Sequence, residues 1–231
     1  MNILALDTSM GVCSAAMLRT AASGHNKRVL REAEMMRGHA EALMPMVEAV
    51  LTEADLAPRD LDMIASTQGP GSFTGVRIAI AAARGLALTS RAALFGTDSL
   101  TVMARRALRE GLAPGGPFAV AADARRDMVY LGLFGLDGTR LDGPMLCTPT
   151  EAVARLPRDL ALAAGNGAGL LAEAAAGQDR AIDGALPDLQ PGAMALAALA
   201  AESPDRTEIL RPLYLRPPDA KPQNTALERR R

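Results

Sequence analysis

Two cysteines and two histidines are all that this 231-residue chain offers to soft-metal or disulfide chemistry. Cys13 and Cys147 lie far apart with no C-x-x-C spacing, so neither a zinc site nor a disulfide framework is indicated, and both read as ordinary buried thiols. His25 and His39 are the only imidazoles, and no H-E-x-x-H occurs, which removes the ligands a metalloprotease needs to activate zinc-bound water. A positive surplus is missing too: 25 basic and 26 acidic side chains leave a net charge of -1. A protein that grips nucleic acid alone usually carries a basic excess, because each neutralised phosphate releases a counterion. Any RNA contact is therefore expected to be local or shared with a partner. The opening Met1-Asn2-Ile3-Leu4-Ala5-Leu6-Asp7 lacks a basic leader and does not resemble a signal peptide. Apolar stretches meet Arg77, Arg84 or Glu202 too soon for a membrane span. A cytoplasmic protein without a membrane contact is expected.

What is present suits a packed interior. Hydrophobic residues are 49% of the chain and charged residues 22%, a globular balance, and the length allows two small lobes or one large domain. Apolar runs at 2–6 and 12–18 flank Asp7-Thr8-Ser9-Met10-Gly11, which predicts a hairpin with an acid and two hydroxyls at its tip. A third strand is expected at 28–34, then a helix over 39–54 on the spacing of Leu43, Val47, Val50 and Ala54. Pro45 should kink that helix or mark its true start. A strand at 61–66 leads to Gln68-Gly69-Pro70-Gly71-Ser72-Phe73-Thr74-Gly75, with Ser72 as N-cap of a helix reaching about 89. A strand at 93–96 and a helix at 99–109 complete a first lobe, residues 1–110, and the Gly- and Pro-rich 111–117 reads as a linker.

Beyond the linker the pattern restarts. Apolar 118–122, polar Asp123-Ala124-Arg125-Arg126-Asp127 and apolar 128–134 lay over the opening hairpin with Asp123 over Asp7, which suggests a duplicated lobe. Helix 149–156, strand 160–164, a Gly-rich turn at 165–169, helices 170–176 and 192–202, and a last strand at 212–215 are expected to close a smaller second lobe, residues 111–216. The tail 217–231 lacks apolar period and is expected to be disordered. Its Lys221 and Arg229-Arg230-Arg231 either touch RNA or form a solvated terminus.

Two segments carry a family resemblance. Ile3-Leu4-Ala5-Leu6-Asp7-Thr8-Ser9 resembles the first phosphate loop of the actin, sugar-kinase and Hsp70 superfamily. Gly69-Pro70-Gly71-Ser72-Phe73-Thr74-Gly75-Val76-Arg77-Ile78 with Gly85-Leu86-Ala87-Leu88 resembles the bacterial TsaB (YeaZ) family, as do Met36-Arg37-Gly38-His39, Asp123-Ala124-Arg125 with Val129-Tyr130, and Pro212-Leu213-Tyr214-Leu215-Arg216. The resemblance implies an α/β, two-lobed actin/sugar-kinase/Hsp70-like fold with duplicated ribonuclease H-like lobes, the second reduced. It implies a partner role in making N6-threonylcarbamoyladenosine at position 37 of tRNAs that read ANN codons, with the transfer done by a larger paralogue, TsaD. A small ATPase, TsaE, is implied as a third subunit, with ATP at an interface of the complex, tRNA met only through the complex, and a homodimer when the paralogue is absent. The catalytic relative carries a His-x-x-x-His metal pair where this chain runs Thr97-Asp98-Ser99-Leu100-Thr101, and a threonine hydroxyl is a poor metal ligand. No catalytic residue, metal or resident cofactor is therefore expected on this chain. Asp7, Thr8, Ser9 and Asp123 either contact phosphate, as in an ATP-dependent kinase of the same superfamily, or form turns by capping backbone amides.

The helix from Ser72 is rich in small residues, and more than one of its stripes is apolar. In the resembled family this helix and the one from His39 form a four-helix bundle with a partner, burying on the order of 1,600 Å². The residues expected at that interface are His39, Leu43, Met44, Val47, Val50 and Leu51 on one helix, and Phe73, Val76, Arg77, Ile80, Ala83 and Arg84 on the other. Free amides at Gly69-Pro70-Gly71, reinforced by Arg77, make an anion site there an expectation as well.

Overall fold

The computed structural model of the chain describes residues 1–21 and 26–216. His25 and the tail with Lys221 and Arg229–Arg231 lie outside the described residues, so the expectations made for them go no further.

Strands β1 (Asn2–Asp7), β2 (Val12–Arg19) and β3 (Lys27–Glu34) form an antiparallel meander. Helix α1 (His39–Ala54) leads to β4 (Met63–Thr67), helix α2 (Phe73–Ser90) and β5 (Ala93–Thr97). β4 and β5 add parallel to β1, giving the order β3-β2-β1-β4-β5. Helix α3 (Ser99–Arg109) and the irregular stretch 111–117 precede a second sheet. It contains β6 (Phe118–Asp123), β7 (Val129–Phe134) and β8 (Arg140–Cys147), followed by helix α4 (Pro149–Arg155), β9 (Leu162–Ala164), helix α5 (Ala168–Ala176) and β10 (Asp183–Ala185). Its order, β10-β9-β6-β7-β8, repeats the topology of the first, with the hairpin antiparallel and the later strands parallel. Helix α6 (Ala193–Ala201) and an extended segment to Arg216 end the described chain.

The central strands of each sheet are buried on both faces, which explains why β1 and β6 read as near-continuous apolar runs. One face of the first sheet packs on α1 and α2 through Leu4, Leu6, Val47, Val50 and Ile80. Its other face packs on α6. The second sheet lies between α3 on one side and α4 with α5 on the other. Helices α3 and α6 touch in the middle layer, where Arg105 pairs with Glu202, and Arg106 reaches Glu110 at 2.6 Å and Glu32 at 3.5 Å.

This middle layer departs from the expected assignment of helices. α3, which completes the first lobe in sequence, covers the second sheet, and α6, expected to close the second lobe, covers the first. Both are amphipathic or apolar enough to serve either sheet, so nothing local decides the choice. The expected strand at 212–215 is absent; that segment is held by a backbone bond from the Leu213 amide to the Gln68 carbonyl instead. β8 and β10 were not foreseen, β8 because Gly143 and Pro144 interrupt its pattern, β10 because Asp183-Gly184-Ala185 carries no apolar signal. Helix α1 begins at His39 and runs through Pro45, whose exposed position leaves the unserved carbonyl one turn earlier on the solvent side. Among the described residues, no helix is long and apolar enough to cross a membrane.

Candidate functional site

The carboxyl ends of β1 and β4 bring Asp7, Thr8, Ser9 and Thr67 together, and all four are buried. Asp7 Oδ1 accepts from the Ser9 hydroxyl at 2.7 Å, the Ser9 amide at 3.2 Å and the Thr67 hydroxyl. The Ser9 hydroxyl accepts from Ser99, the first residue of α3, at 3.0 Å. Thr8 donates to the Gly75 carbonyl at 2.6 Å, and the Ser72 amide donates to the Ser9 carbonyl at 2.7 Å. Two glycines allow this approach. A Cβ at Gly71 would stand 2.1 Å from the Ser9 carbonyl oxygen, and one at Gly75 would stand 2.0 Å from that of Thr8. The hairpin tip and the start of α2 are thus pressed together backbone to backbone. Burial raises the Asp7 carboxyl above its ordinary range, against the pull of its hydrogen bonds from Thr67 and Ser9. His39, at the start of α1, holds the Met10 carbonyl at 3.1 Å and so braces the same tip.

The second hairpin tip is built otherwise. Asp123 accepts from the Arg125 amide at 2.7 Å, while its own amide donates to Asn166 at 2.9 Å. Its side chain is a third exposed, and Arg125, Arg126 and Asp127 all have left-handed backbone. Asp7 and Asp123 therefore correspond in topology but not in environment.

At the positions where the resembled transferase has its metal pair, Asp98 caps α3 by accepting from the Thr101 amide at 2.9 Å and the Thr101 hydroxyl at 2.5 Å. Arg140 of β8 completes the group with a 2.5 Å bond to Asp98. Among the described residues, no three His, Cys, Asp or Glu side chains converge as a metal site.

The extended segment after α6 forms a strap that the sequence reading missed. The Glu208 amide bonds the Leu94 carbonyl at the free edge of β5 at 2.8 Å, Leu210 is buried in the first core, and the Leu213 amide bonds the Gln68 carbonyl at 2.6 Å. Arg84 donates to the Leu210 carbonyl. Arg77 stacks 3.7 Å from the Phe73 ring and donates to the Tyr214 hydroxyl at 2.5 Å, with the two rings 5.2 Å apart. Arg216 reaches the Ala124 carbonyl of the second hairpin at 2.9 Å. Arg77 and Arg84 thus hold the strap. Arg77 is turned from the anion site expected at the α2 start, where Ser72 itself caps the Gly75 amide. Neither periodicity nor turn chemistry marks such a strap.

Of the twelve expected interface residues, Leu43, Val47, Val50, Leu51, Val76, Ile80 and Ala83 are core side chains that fix α1 and α2 to their sheet. Five of them leave no outer face, Val47 and Leu51 show only an edge to a groove on α1, and the rest of the expected surface rests on exposed side chains, the expected Met44 and Phe73 among them. There Met44 is 46% exposed, Phe73 50% and Leu88 86%. Between α1 and the end of α2 a groove of about 380 Å³ opens, lined by Met44, Pro45, Glu48, Leu56, Pro58 and Leu86 among others. The helical period was right, but it could not say which of two apolar stripes faces in.

Comparison with known proteins adds to this geometry. A family model described as TsaD, tRNA N6-adenosine threonylcarbamoyltransferase, matches residues 32–182. The tRNA threonylcarbamoyladenosine biosynthesis protein TsaB of Haemophilus influenzae is 30% identical over 178 residues, 72% of this chain and 72% of that one. The chain belongs to the TsaB (YeaZ) family. TsaB of Escherichia coli is 38% identical over 131 residues, covering 56% of this chain and 53% of its own. The solved structure of YeaZ from Pseudomonas aeruginosa is 32% identical, with a TM-score of 0.76 over 93% of this chain and all of that one, so the two proteins share one fold over nearly the whole chain. This family places the chain in tRNA threonylcarbamoyladenosine biosynthesis.

Proposed function

We propose that this chain is the non-catalytic partner subunit of the assembly that forms N6-threonylcarbamoyladenosine at position 37 of ANN-decoding tRNAs. It docks on a TsaD-like catalytic paralogue and activates it, in the cytoplasm. One observation carries the reading: the tip where a superfamily enzyme would receive phosphate is sealed, with Thr8 and Ser9 buried and the Gly71–Gly75 backbone against it. A nucleotide phosphate needs open amides and hydroxyls, and here the tip's side chains serve the protein's own backbone. The Asp98–Thr101–Arg140 group supports the same view, since it ties up the hydroxyl at the position of a metal ligand. ATP then belongs to the assembled complex and its TsaE-like ATPase, tRNA is met only there, and a second copy of this chain takes the docking face when the paralogue is absent.

The docking face in this proposal is the outer stripe of α1 and α2, where apolar side chains stay open to solvent although the core behind them is complete. Met44→Asp and Leu88→Asp should leave the denaturation midpoint of the chain unchanged and abolish co-elution with the purified paralogue. Calorimetry of the chain alone with ATP and magnesium should give no binding heat. Micromolar binding and turnover by the chain alone would favour the kinase reading and overturn this one.

A further inference from the structure

The Asp7 carboxyl is fully buried, and only one of its two oxygens is served. Oδ1 collects three donors, whereas Oδ2 is buried without any hydrogen-bond partner. Nothing cationic hydrogen-bonds either oxygen, and His39 favours the ionised form only through space, as the weakest of the influences on the carboxyl. Of the titratable groups around it, His39 bonds the Met10 carbonyl instead, the Cys13 thiol is itself pushed up to about 11, chiefly by burial, and Asp98 beside Ser99 is paired with Arg140. The strand β4, the loop 69–72 and the first turn of α2 present no charge there before Arg77, which faces Tyr214. A carboxylate in this position would be an unpaired buried charge, a state that proteins relieve by keeping the proton.

Asp7 also sits where many segments meet. Through Thr67 it holds β4, and through Ser9 it holds the hairpin tip, the start of α3 and the Ser72 amide. Thr8 beside it holds the first turn of α2. We propose that Asp7 is a protonation-sensitive latch: neutral, it keeps the hairpin tip, the 69–72 loop and the α2 start clasped together, and ionised it releases them. That α2 is a docking helix rests on the function proposed above; the latch itself is a property of the isolated chain, so the two can fail separately.

The sign follows from linkage. A carboxyl raised by folding retains its proton in the native state after the unfolded chain has lost it. Its stabilising effect is fully present below the ordinary aspartate value of 3.8 and is lost as pH rises from there through the native value. Within that window the unfolding constant should grow by up to about tenfold per pH unit.

The test compares the full chain with Asp7→Asn over a pH series that rises from the ordinary aspartate value of 3.8. The wild-type urea midpoint should fall relative to the variant as pH rises, and wild-type amide protection should drop first at Ser9, Ser72 and Gly75. Parallel midpoint profiles, or protection lost evenly over the chain, would overturn the latch. Should Asp7→Asn not fold, carbon-13 NMR of the wild-type Asp7 carboxyl decides: titration well above the ordinary aspartate range upholds the proposal, titration at or below it ends it. Paralogue co-elution on either side of the transition, measured separately, reports on docking alone.

Discussion

The two hairpins of this molecule have the same topology and opposite fates. Each places an aspartate at the end of its first strand, Asp7 facing Ser14 and Asp123 facing Val129 in register, and each sheet adds a parallel strand ending in a glycine turn. Gly71 and Gly75 press on the Ser9 and Thr8 carbonyls. Gly165 and Gly167 press on Ala121 instead, two residues before the acid, with the Gly167 amide bonding the Ala121 carbonyl at 3.0 Å. The first acid is therefore enclosed and its tip has become an internal joint, while the second stays partly in water. A turn motif carries chemistry only if it remains open, and whether it does depends on how far along the strand its neighbour's glycines fall.

The widest separation between the lobes should come from glycine. Gly75→Ala forces a Cβ into the Thr8 backbone, 2.0 Å from its carbonyl oxygen, and should cost roughly 3–5 kcal/mol, read from the urea midpoint. In the second lobe, Gly169 of α5 has open space around its missing Cβ, so Gly169→Ala should stabilise by about 0.5–1 kcal/mol. Equal effects would show that the first tip is looser than described. Next come the acids' partners. Thr67→Val removes a buried donor to Asp7 and should cost roughly 1–3 kcal/mol, whereas Asp123→Ala, at a partly solvated turn, should cost under about 1 kcal/mol. Thermal denaturation of both variants checks the order, and a reversed order would sink the distinction between a sealed and an open tip. The smallest contrast lies in the helix caps. Thr148→Ala breaks a reciprocal capping box with Glu151 and should cost about 1 kcal/mol, while Ser72→Ala loses a single long bond of 3.3 Å and should cost about 0.5 kcal/mol.

Much of this was legible without coordinates. The spacing of Leu43, Val47 and Val50 marked α1, Ser72 was recognisable as a cap, and the match of Asp123 to Asp7 announced the repeat. The candidate site was legible only in part. Asp7, Thr8 and Ser9 stood out, but Thr67 and Ser99, which complete the group, are ordinary hydroxyls at strand and helix ends. The family resemblance names the two interface helices, but helical period cannot tell an inner stripe from an outer one when both are apolar. Sequence alone offers Arg77 and Arg84 as partner or anion contacts, because the strap that engages them lies more than a hundred residues further on.

Local order, then, belongs largely to the sequence: where the helices and the strongly apolar strands lie, which residues can begin a helix, and that no imidazole pair is available. Tertiary structure alone decided that α3 and α6 exchange sheets, that the first tip closes on two glycines, and that Met44 and Leu88, not Val76 and Ala83, meet the solvent. The reason is physical. Propensity and periodicity act over a few residues, but burial is set by whichever distant surface arrives to cover a face, and that surface is encoded elsewhere in the chain.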